Sequence, residues 1–185
     1  MLAVLHLPQL SEAQVIERDP PDCALLQAAR EGAAQGIVRD VYLMARFYST
    51  GSCVSGDGEK AVLLYQRAAR QSYPRAFYNL GIISASHDDF SSAEAWFKKG
   101  AELGHRGCEL QLGILYSLVP PPVGDLAKGL AWLSLTASRN EPVASEAEDV
   151  RHGVRKRVDG AILKSAARMS VRLRERYGDI PEFRE

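Results

Sequence analysis

The sequence predicts an all-α fold in which antiparallel helix pairs stack into a solenoid, and two observations support this prediction. One pattern of small and large apolar residues occurs three times, with the same internal offsets of 3, 4, 7, 8, 11 and 15 residues. The three copies begin at Ala61, Ala93 and Gly129. A large apolar residue followed by a small one precedes each copy, as Met44–Ala45, Leu80–Gly81 and Leu112–Gly113.

The offsets mark one face of an α-helix, because 3.6 residues per turn bring positions 0, 3–4, 7–8 and 11 to the same side. Alternating small and large residues on that face let a second helix approach closely. Each unit is therefore predicted to contain a helix A followed by a helix B. The predicted pairs are 40–50 with 58–71, 74–86 with 90–103, and 107–118 with 125–139.

Each connector between helix A and helix B carries an aspartate close to the predicted start of helix B. Asp57, Asp89 and Asp125 lie four residues before the small residue that opens each copy. A carboxylate at this place can accept a backbone N–H and favours the positive end of the helix dipole. We therefore expect all three to be N-caps. We also expect Trp96, at a core offset, to be largely buried.

The first full unit resembles the Sel-1-like repeat, a relative of the tetratricopeptide repeat. The matching positions are Ala45, Tyr48, Gly51, Val54, Asp57, Lys60, Ala61, Leu64, Tyr65, Ala68 and Ala69. The resemblance covers about residues 24–144, as a half-unit at 24–39 and full units at about 40–75, 76–107 and 108–143. Asp40 departs from the usual alanine and is interpreted as a break in stacking, and Val119 and Pro121 replace loop glycines in the third unit. The resemblance implies a right-handed superhelix that serves as an adaptor or scaffold.

The two ends of the chain are interpreted as segments that flank the array. Residues 1–23 lack the basic region of a signal peptide, and their apolar stretch is too short to span a membrane. We interpret them as a covering for the open end of the array. Residues 145–185 are predicted to form capping helices, with helices at 143–157 and 160–177 and a C-cap at Gly178.

Charge and cysteine content restrict the classes of partner and compartment. The formal net charge is zero, although ten Lys and Arg face five Asp and Glu from Val150 onward. Cys23, Cys53 and Cys108 show neither metal-ligand spacing nor an evident pairing, and Cys108 occupies a small-residue position of the repeat, where burial is expected. A sparse, odd cysteine count suits a reducing compartment, so a cytoplasmic location is expected.

The sequence contains no pattern typical of catalysis. The four histidines, at positions 6, 87, 105 and 152, lie outside metal-ligand spacings, and Asp88–Asp89 is interpreted as a loop and cap. No phosphate-binding loop, nucleophile elbow or zinc-protease helix is present in the sequence. We therefore expect no enzymatic activity, no cofactor and no metal.

A partner is expected on the concave face that the A helices line in such arrays. The candidate binding residues lie two positions before and two positions after the large residue of each core pair, or near the same edge of the helix. They are Arg39, Tyr42, Arg46, Tyr78, Asn79, Ile82, Leu110 and Ile114. Tyrosine and arginine often anchor interfaces. The alternative for the leucine and isoleucines is contact with the adjacent A helix.

The predicted function is a protein–protein interaction scaffold that binds another protein or peptide without catalysis, as a monomer or weak homodimer. The Ala- and Arg-rich, bacterial-looking composition leaves open an inhibitor or immunity protein that blocks a bacterial effector. The basic C-terminal helices leave a second alternative, nucleic-acid binding, which is not expected because no aromatic platform accompanies the charge.

Overall fold

The computed structural model describes residues 20–139 and 143–178, and within these ranges the chain is all-helical without a β-strand. A 3₁₀ turn, Cys23–Leu25, precedes nine α-helices. The helices are α1 (Leu26–Ala34), α2 (Val38–Thr50), α3 (Gly58–Arg70), α4 (Pro74–Ser86), α5 (Phe90–Glu102), α6 (Arg106–Leu118), α7 (Leu126–Ala137), α8 (Val143–Arg155) and α9 (Gly160–Tyr177). The proposed covering role of residues 1–19 and the chain beyond residue 178 lie outside the described residues.

The predicted hairpins are confirmed, with boundaries that differ by no more than two residues. Within the hairpins α2 packs on α3, α4 on α5 and α6 on α7, and the hairpins stack through α3 with α4 and α5 with α6. The half-unit is also continuous with the array. Asp40 lies directly against Gly32, where the missing side chain leaves room for it, so the expected break in stacking is wrong.

Small residues in the A helices create the space that the B helices fill. A Cβ atom on Gly81 would come within 3 Å of the ring of Phe97, and one on Gly113 would meet Leu133 in the same way. Phe97 and Leu133 are fully buried, whereas Trp96 is only half-buried. Trp96 packs against the core with most of its surface covered, although less completely than Phe97, because a step of one residue turns a side chain by about 100° around the helix.

The predicted N-caps are confirmed, and a fourth aspartate repeats the arrangement. Asp57 accepts the N–H of Lys60 at 2.9 Å, and Asp89 accepts that of Ser92 at 3.1 Å. Asp125 accepts the N–H groups of Ala127 and Lys128, at 3.0 and 3.1 Å, and Asp159 accepts that of Ile162 at 2.9 Å. Each of these helices therefore begins at a fixed residue on the same edge of the solenoid.

The C-terminal helices are confirmed at Val143–Arg155 and Gly160–Tyr177, and they add to the core as well as ending the array. Helix α9 packs along α7, and α8 packs on α7 and α6. Gly178 follows α9 and donates its N–H to the carbonyl of Arg174 at 2.7 Å, in a right-handed conformation.

A buried cluster of charges fastens this end of the solenoid. Glu109 of α6, which is fully buried, accepts hydrogen bonds from Arg106 at 2.7 Å and from Arg139 at 2.8 and 3.0 Å. Arg139 also donates to the carbonyls of Tyr177 and Gly178, at 2.9 and 3.2 Å. One arginine therefore connects the inner helix α6 to the final turn of α9.

The cysteines correct one expectation and confirm another. Cys23 and Cys53 form a disulfide with a Cα–Cα distance of 5.6 Å, although 30 residues separate them in sequence. Because α1 and α2 run antiparallel, the turn before α1 and the loop after α2 meet at the same edge. The interpretation that no cysteines pair is wrong, and the argument for a reducing compartment fails with it. Cys108 keeps its thiol outside this disulfide and is fully buried, as expected.

Candidate interaction surface

The A helices α2 and α4 each carry a row of exposed or half-buried side chains on one face. Positions three or four residues apart lie on the same side of a helix. On α2 and α4 these positions recur at equivalent offsets and carry exposed or half-buried side chains. We call this set the open face, and it consists of Arg39, Leu43, Arg46, Arg75, Asn79 and Ile82.

The structure places half of the predicted binding residues on the open face and half in the core. Arg39, Arg46, Asn79 and Ile82 belong to the open face. The predicted exposure is wrong for the other four, which are at most 7% exposed. These four are Tyr42, Tyr78, Leu110 and Ile114.

The two tyrosines are buried because they fill the junctions between consecutive hairpins. The Tyr42 ring centroid lies 5.7 Å from that of Tyr65 and 4.9 Å from that of Tyr73. Its hydroxyl oxygen accepts a hydrogen bond from Asn79 Nδ2 at 3.2 Å. Tyr78 occupies the equivalent place one unit later, with its ring centroid 5.1 Å from that of His105. The tyrosines therefore connect consecutive hairpins. The positions that are more exposed are the next residues along each helix, Leu43 and Asn79.

The open face does not continue onto the third A helix, α6. Leu110 and Ile114 belong to one buried cluster with Ala147 and Val154 of α8. These two side chains are therefore buried against the C-terminal helix α8 rather than exposed as predicted. Eleven of the thirteen residues of α6 are buried, so an accessible binding surface along the A helices is restricted to α2 and α4.

The chemistry of the open face suits recognition rather than catalysis. Three arginines, at positions 39, 46 and 75, lie beside the aliphatic side chains of Leu43 and Ile82. Guanidinium groups bind carboxylates through paired hydrogen bonds, and aliphatic side chains contribute apolar contact. Sequence analysis did not identify Leu43 and Arg75 as candidates. Leu43 lies four residues after Arg39, and Arg75 occupies the position of Arg39 in the next unit, so helix spacing points to both.

The described residues provide no arrangement typical of a metal or acid–base site. No group of three or more His, Cys, Asp or Glu side chains in residues 20–139 and 143–178 is placed to hold a metal ion. Tyr116 donates a hydrogen bond to Glu94 at 2.6 Å, and burial together with this bond raises the pKa of the Tyr116 hydroxyl. The hydroxyl therefore keeps its proton and connects α5 to α6.

Among the helices of the described ranges, none combines the length and hydropathy that a membrane span requires.

Comparison with known proteins identifies the repeat and the fold. The sequence profile of the Sel1 repeat matches residues 41–73, 76–105 and 108–141. The structure of a Sel1 repeat protein from Oxalobacter formigenes superposes with a TM-score of 0.66 at 20% sequence identity, covering 81% of this chain and 64% of that chain. This chain thus spans less than two thirds of that protein's length. No curated protein matches the sequence.

Two further solved structures are similar at a lower level. A protective antigen of uropathogenic Escherichia coli strains that displays an SLR fold has a TM-score of 0.43 at 22% identity, with coverage of 82% of this chain and 41% of that chain. An immunity protein from Pseudomonas aeruginosa has a TM-score of 0.36 at 16% identity, with coverage of 89% and 86%. At these scores neither protein contributes to the functional argument.

Proposed function

We propose that this chain, which belongs to the Sel1 repeat family, is a non-catalytic interaction module that binds a segment of another protein on its open face. Sel1 repeats generally mediate protein–protein interaction. The observation that carries the proposal is the row of exposed and half-buried side chains on α2 and α4, since the equivalent surface of α6 is buried beneath α8.

The composition of the open face favours a partner segment that combines acidic and apolar side chains. Arg39 is exposed, Arg46 and Arg75 are half-buried, and the aliphatic pair Leu43 and Ile82 is half-buried, with each side chain also packed against the core. An acidic segment gains long-range attraction to such a surface and paired hydrogen bonds on contact. Apolar side chains of the same segment would add burial against the aliphatic pair.

The test compares capture of partner proteins by the intact chain and by a variant altered on the open face. Arg39→Glu combined with Ile82→Ser should abolish capture while leaving helicity intact, because Arg39 is exposed and Ile82 only half-buried. Tyr78→Ala is unsuitable, since loss of a buried ring would also affect folding. Arg70→Glu on the exposed end of α3 is the matched control and should capture normally. If the double variant captures the same proteins as the intact chain, the open face is not the site.

The oligomeric state belongs to the same proposal. Large apolar side chains that are exposed in the described residues occur singly on different elements. They are Leu25, Ile37, Leu63, Leu103 and Val171. Scattered side chains of this kind do not form the apolar patch of a stable dimer, so we propose a monomer or weak homodimer. Sedimentation velocity over a range of concentrations tests this. A cytoplasmic location is not part of the proposal, because disulfides are rare in the reducing cytosol.

Nucleic-acid binding and effector inhibition stay predictions without a specific observation in their favour. Exposed Lys164, Arg168 and Arg172 follow one side of α9, which is the stripe that a nucleic acid would use. We expect no salt-sensitive affinity for DNA or RNA at physiological ionic strength. Submicromolar binding that weakens steeply with added salt would favour the nucleic-acid function over the interaction module.

A further inference from the structure

A cavity lies at the edge of the last repeat, away from the open face. Its volume is about 480 Å³, which is within the range of small-ligand sites. The end of α6, the loop between α6 and α7 and the first residues of α7 form most of its wall, and Arg157 after α8 and Ile162 of α9 complete it. Its apolar lining includes Leu118, Val119, Pro121, Leu126 and Ile162. No residue of α2 or α4 contributes to it, so the cavity is separate from the surface proposed above.

The charge that remains available at this cavity is positive. Arg157 lines it, is exposed, and forms no ion pair or side-chain hydrogen bond with any residue in the described part of the chain. The other charged lining residue is Asp125, whose carboxylate accepts two N–H groups at the start of α7 and lies 3.5 Å from Lys128 Nζ. The carboxylate is therefore already neutralised, and the guanidinium of Arg157 is not.

The backbone of the loop limits how a ligand can be held. Pro120, Pro121 and Pro122 have no N–H group, and the N–H groups of Gly124 and Asp125 donate to carbonyls of Pro120 and Tyr116. An anion at the cavity can therefore find its donor on Arg157 rather than on this backbone. The carbonyl of Pro120 already accepts the N–H of Gly124, so a ligand that carries N–H groups of its own would pair with the carbonyls of Pro121 and Pro122.

We propose that the cavity binds a peptide segment of a partner protein in which a large apolar side chain is next to a carboxylate. The apolar side chain enters the cavity, the carboxylate pairs with Arg157, and peptide N–H groups face the proline loop. This site extends the proposed function, since it would hold a partner at the loop edge independently of the open face.

The test titrates the isotope-labelled full chain with a capped hexapeptide that carries leucine, phenylalanine and glutamate in succession between glycines. Amide chemical shifts should change at 116–127 and 157–162. Replacing the glutamate of the peptide by glutamine should weaken binding by about two- to fivefold, because an ion pair with an exposed arginine is lost. Arg157→Gln should weaken binding of the original peptide equally. Arg155→Gln, an exposed arginine that does not line the cavity, is the matched control and should bind normally.

A charge-reversal variant of Arg157 provides a second test. Arg157→Glu should reject the glutamate peptide and bind its lysine counterpart more tightly than the intact chain does. Equal affinity of all variants for the glutamate peptide would overturn the proposal. Shifts confined to α2 and α4 would also overturn it while supporting the open face. If decanoate, which has an apolar chain and a carboxylate but no amide, binds the cavity and the peptide does not, the site takes fatty acids and the peptide assignment fails.

Discussion

At the scale of single residues, stacking depends on which side chain enters the space beside each small residue of an A helix. Phe97 enters the space beside Gly81, and Leu133 enters the space beside Gly113. Trp96, one position earlier, instead lies at the edge of the core with its ring centroid 6.1 Å from that of Phe77. In the first two units the second member of the large apolar pair is therefore buried more completely than the first, whereas in the third unit Trp132 and Leu133 are both buried.

Phe97→Ala should lower the free energy of unfolding by about 3–5 kcal/mol, because it empties a fully buried site. Trp96→Ala should cost only about 1–2 kcal/mol, since its ring is half-buried. Urea denaturation of both variants measures the difference. A larger loss for Trp96→Ala would contradict the assignment of the pair.

Gly81→Ala should also destabilise the chain. The added methyl group would overlap the ring of Phe97, and overpacking of this kind costs about 1–3 kcal/mol. Gly153→Ala in α8 is the control, because no atom beyond its own helix turn lies within 4 Å of the new methyl group. This variant should gain about 0.5–1 kcal/mol from helix propensity alone. Thermal melts of the pair should therefore shift in opposite directions, and a gain in both would show that the helices are not in close contact at Gly81.

At the scale of helices, the last turn of α9 is held by a charge cluster rather than by apolar packing alone. Arg139 follows α7, contacts Glu109 of α6, and donates to the carbonyls of Tyr177 and Gly178. The capping helix is thus connected to the inner A helix through a single guanidinium. The packing of α9 on the array should therefore depend strongly on the buried carboxylate of Glu109.

Glu109→Gln should lower the free energy of unfolding by about 3–5 kcal/mol, because Arg106 and Arg139 lose the buried carboxylate that they share. Glu102→Gln is the matched control. Its partner Arg176 lies on the surface, where loss of an ion pair costs at most about 1 kcal/mol. Chemical denaturation monitored by circular dichroism gives both values. Equal effects would mean that the buried cluster contributes no more than a surface pair.

At the scale of the whole molecule, different interactions stabilise the two ends of the array. The charge cluster fixes the C-terminal helices, and the disulfide between Cys23 and Cys53 fixes the half-unit to the first full repeat. In the chain-entropy description a disulfide restricts the unfolded state, and its contribution grows with the length of the enclosed loop.

Reduction of the disulfide should lower the free energy of unfolding by about 3–4 kcal/mol, given the separation of 30 residues. Denaturant unfolding with and without a phosphine reductant measures this. The double variant Cys23→Ala with Cys53→Ala should be insensitive to the reductant. Unreduced protein in denaturant should show one reactive thiol, from Cys108, whereas three thiols would exclude the disulfide.

Repeat spacing was sufficient to predict the helices but not the binding register. Helix periodicity fixed the hairpins to within two residues, and the connector aspartates identified the N-caps. The candidate surface was half wrong because Tyr42 and Tyr78 fill junctions between hairpins, a role that depends on neighbouring units rather than on their own helix. The disulfide was missed because Cys23 and Cys53 become neighbours only when α1 folds back against α2.

The disulfide also sets how far the molecule can be stretched. If the chain is pulled from its two ends, the segment from Cys23 to Cys53 cannot extend, because force passes directly across the covalent bridge. Each fully extended residue contributes about 3.3–3.6 Å, so the oxidised chain should end about 100 Å shorter than the reduced chain. A force–extension record taken under reducing and non-reducing conditions would show this missing length as a difference in the final extension of the unfolded chain.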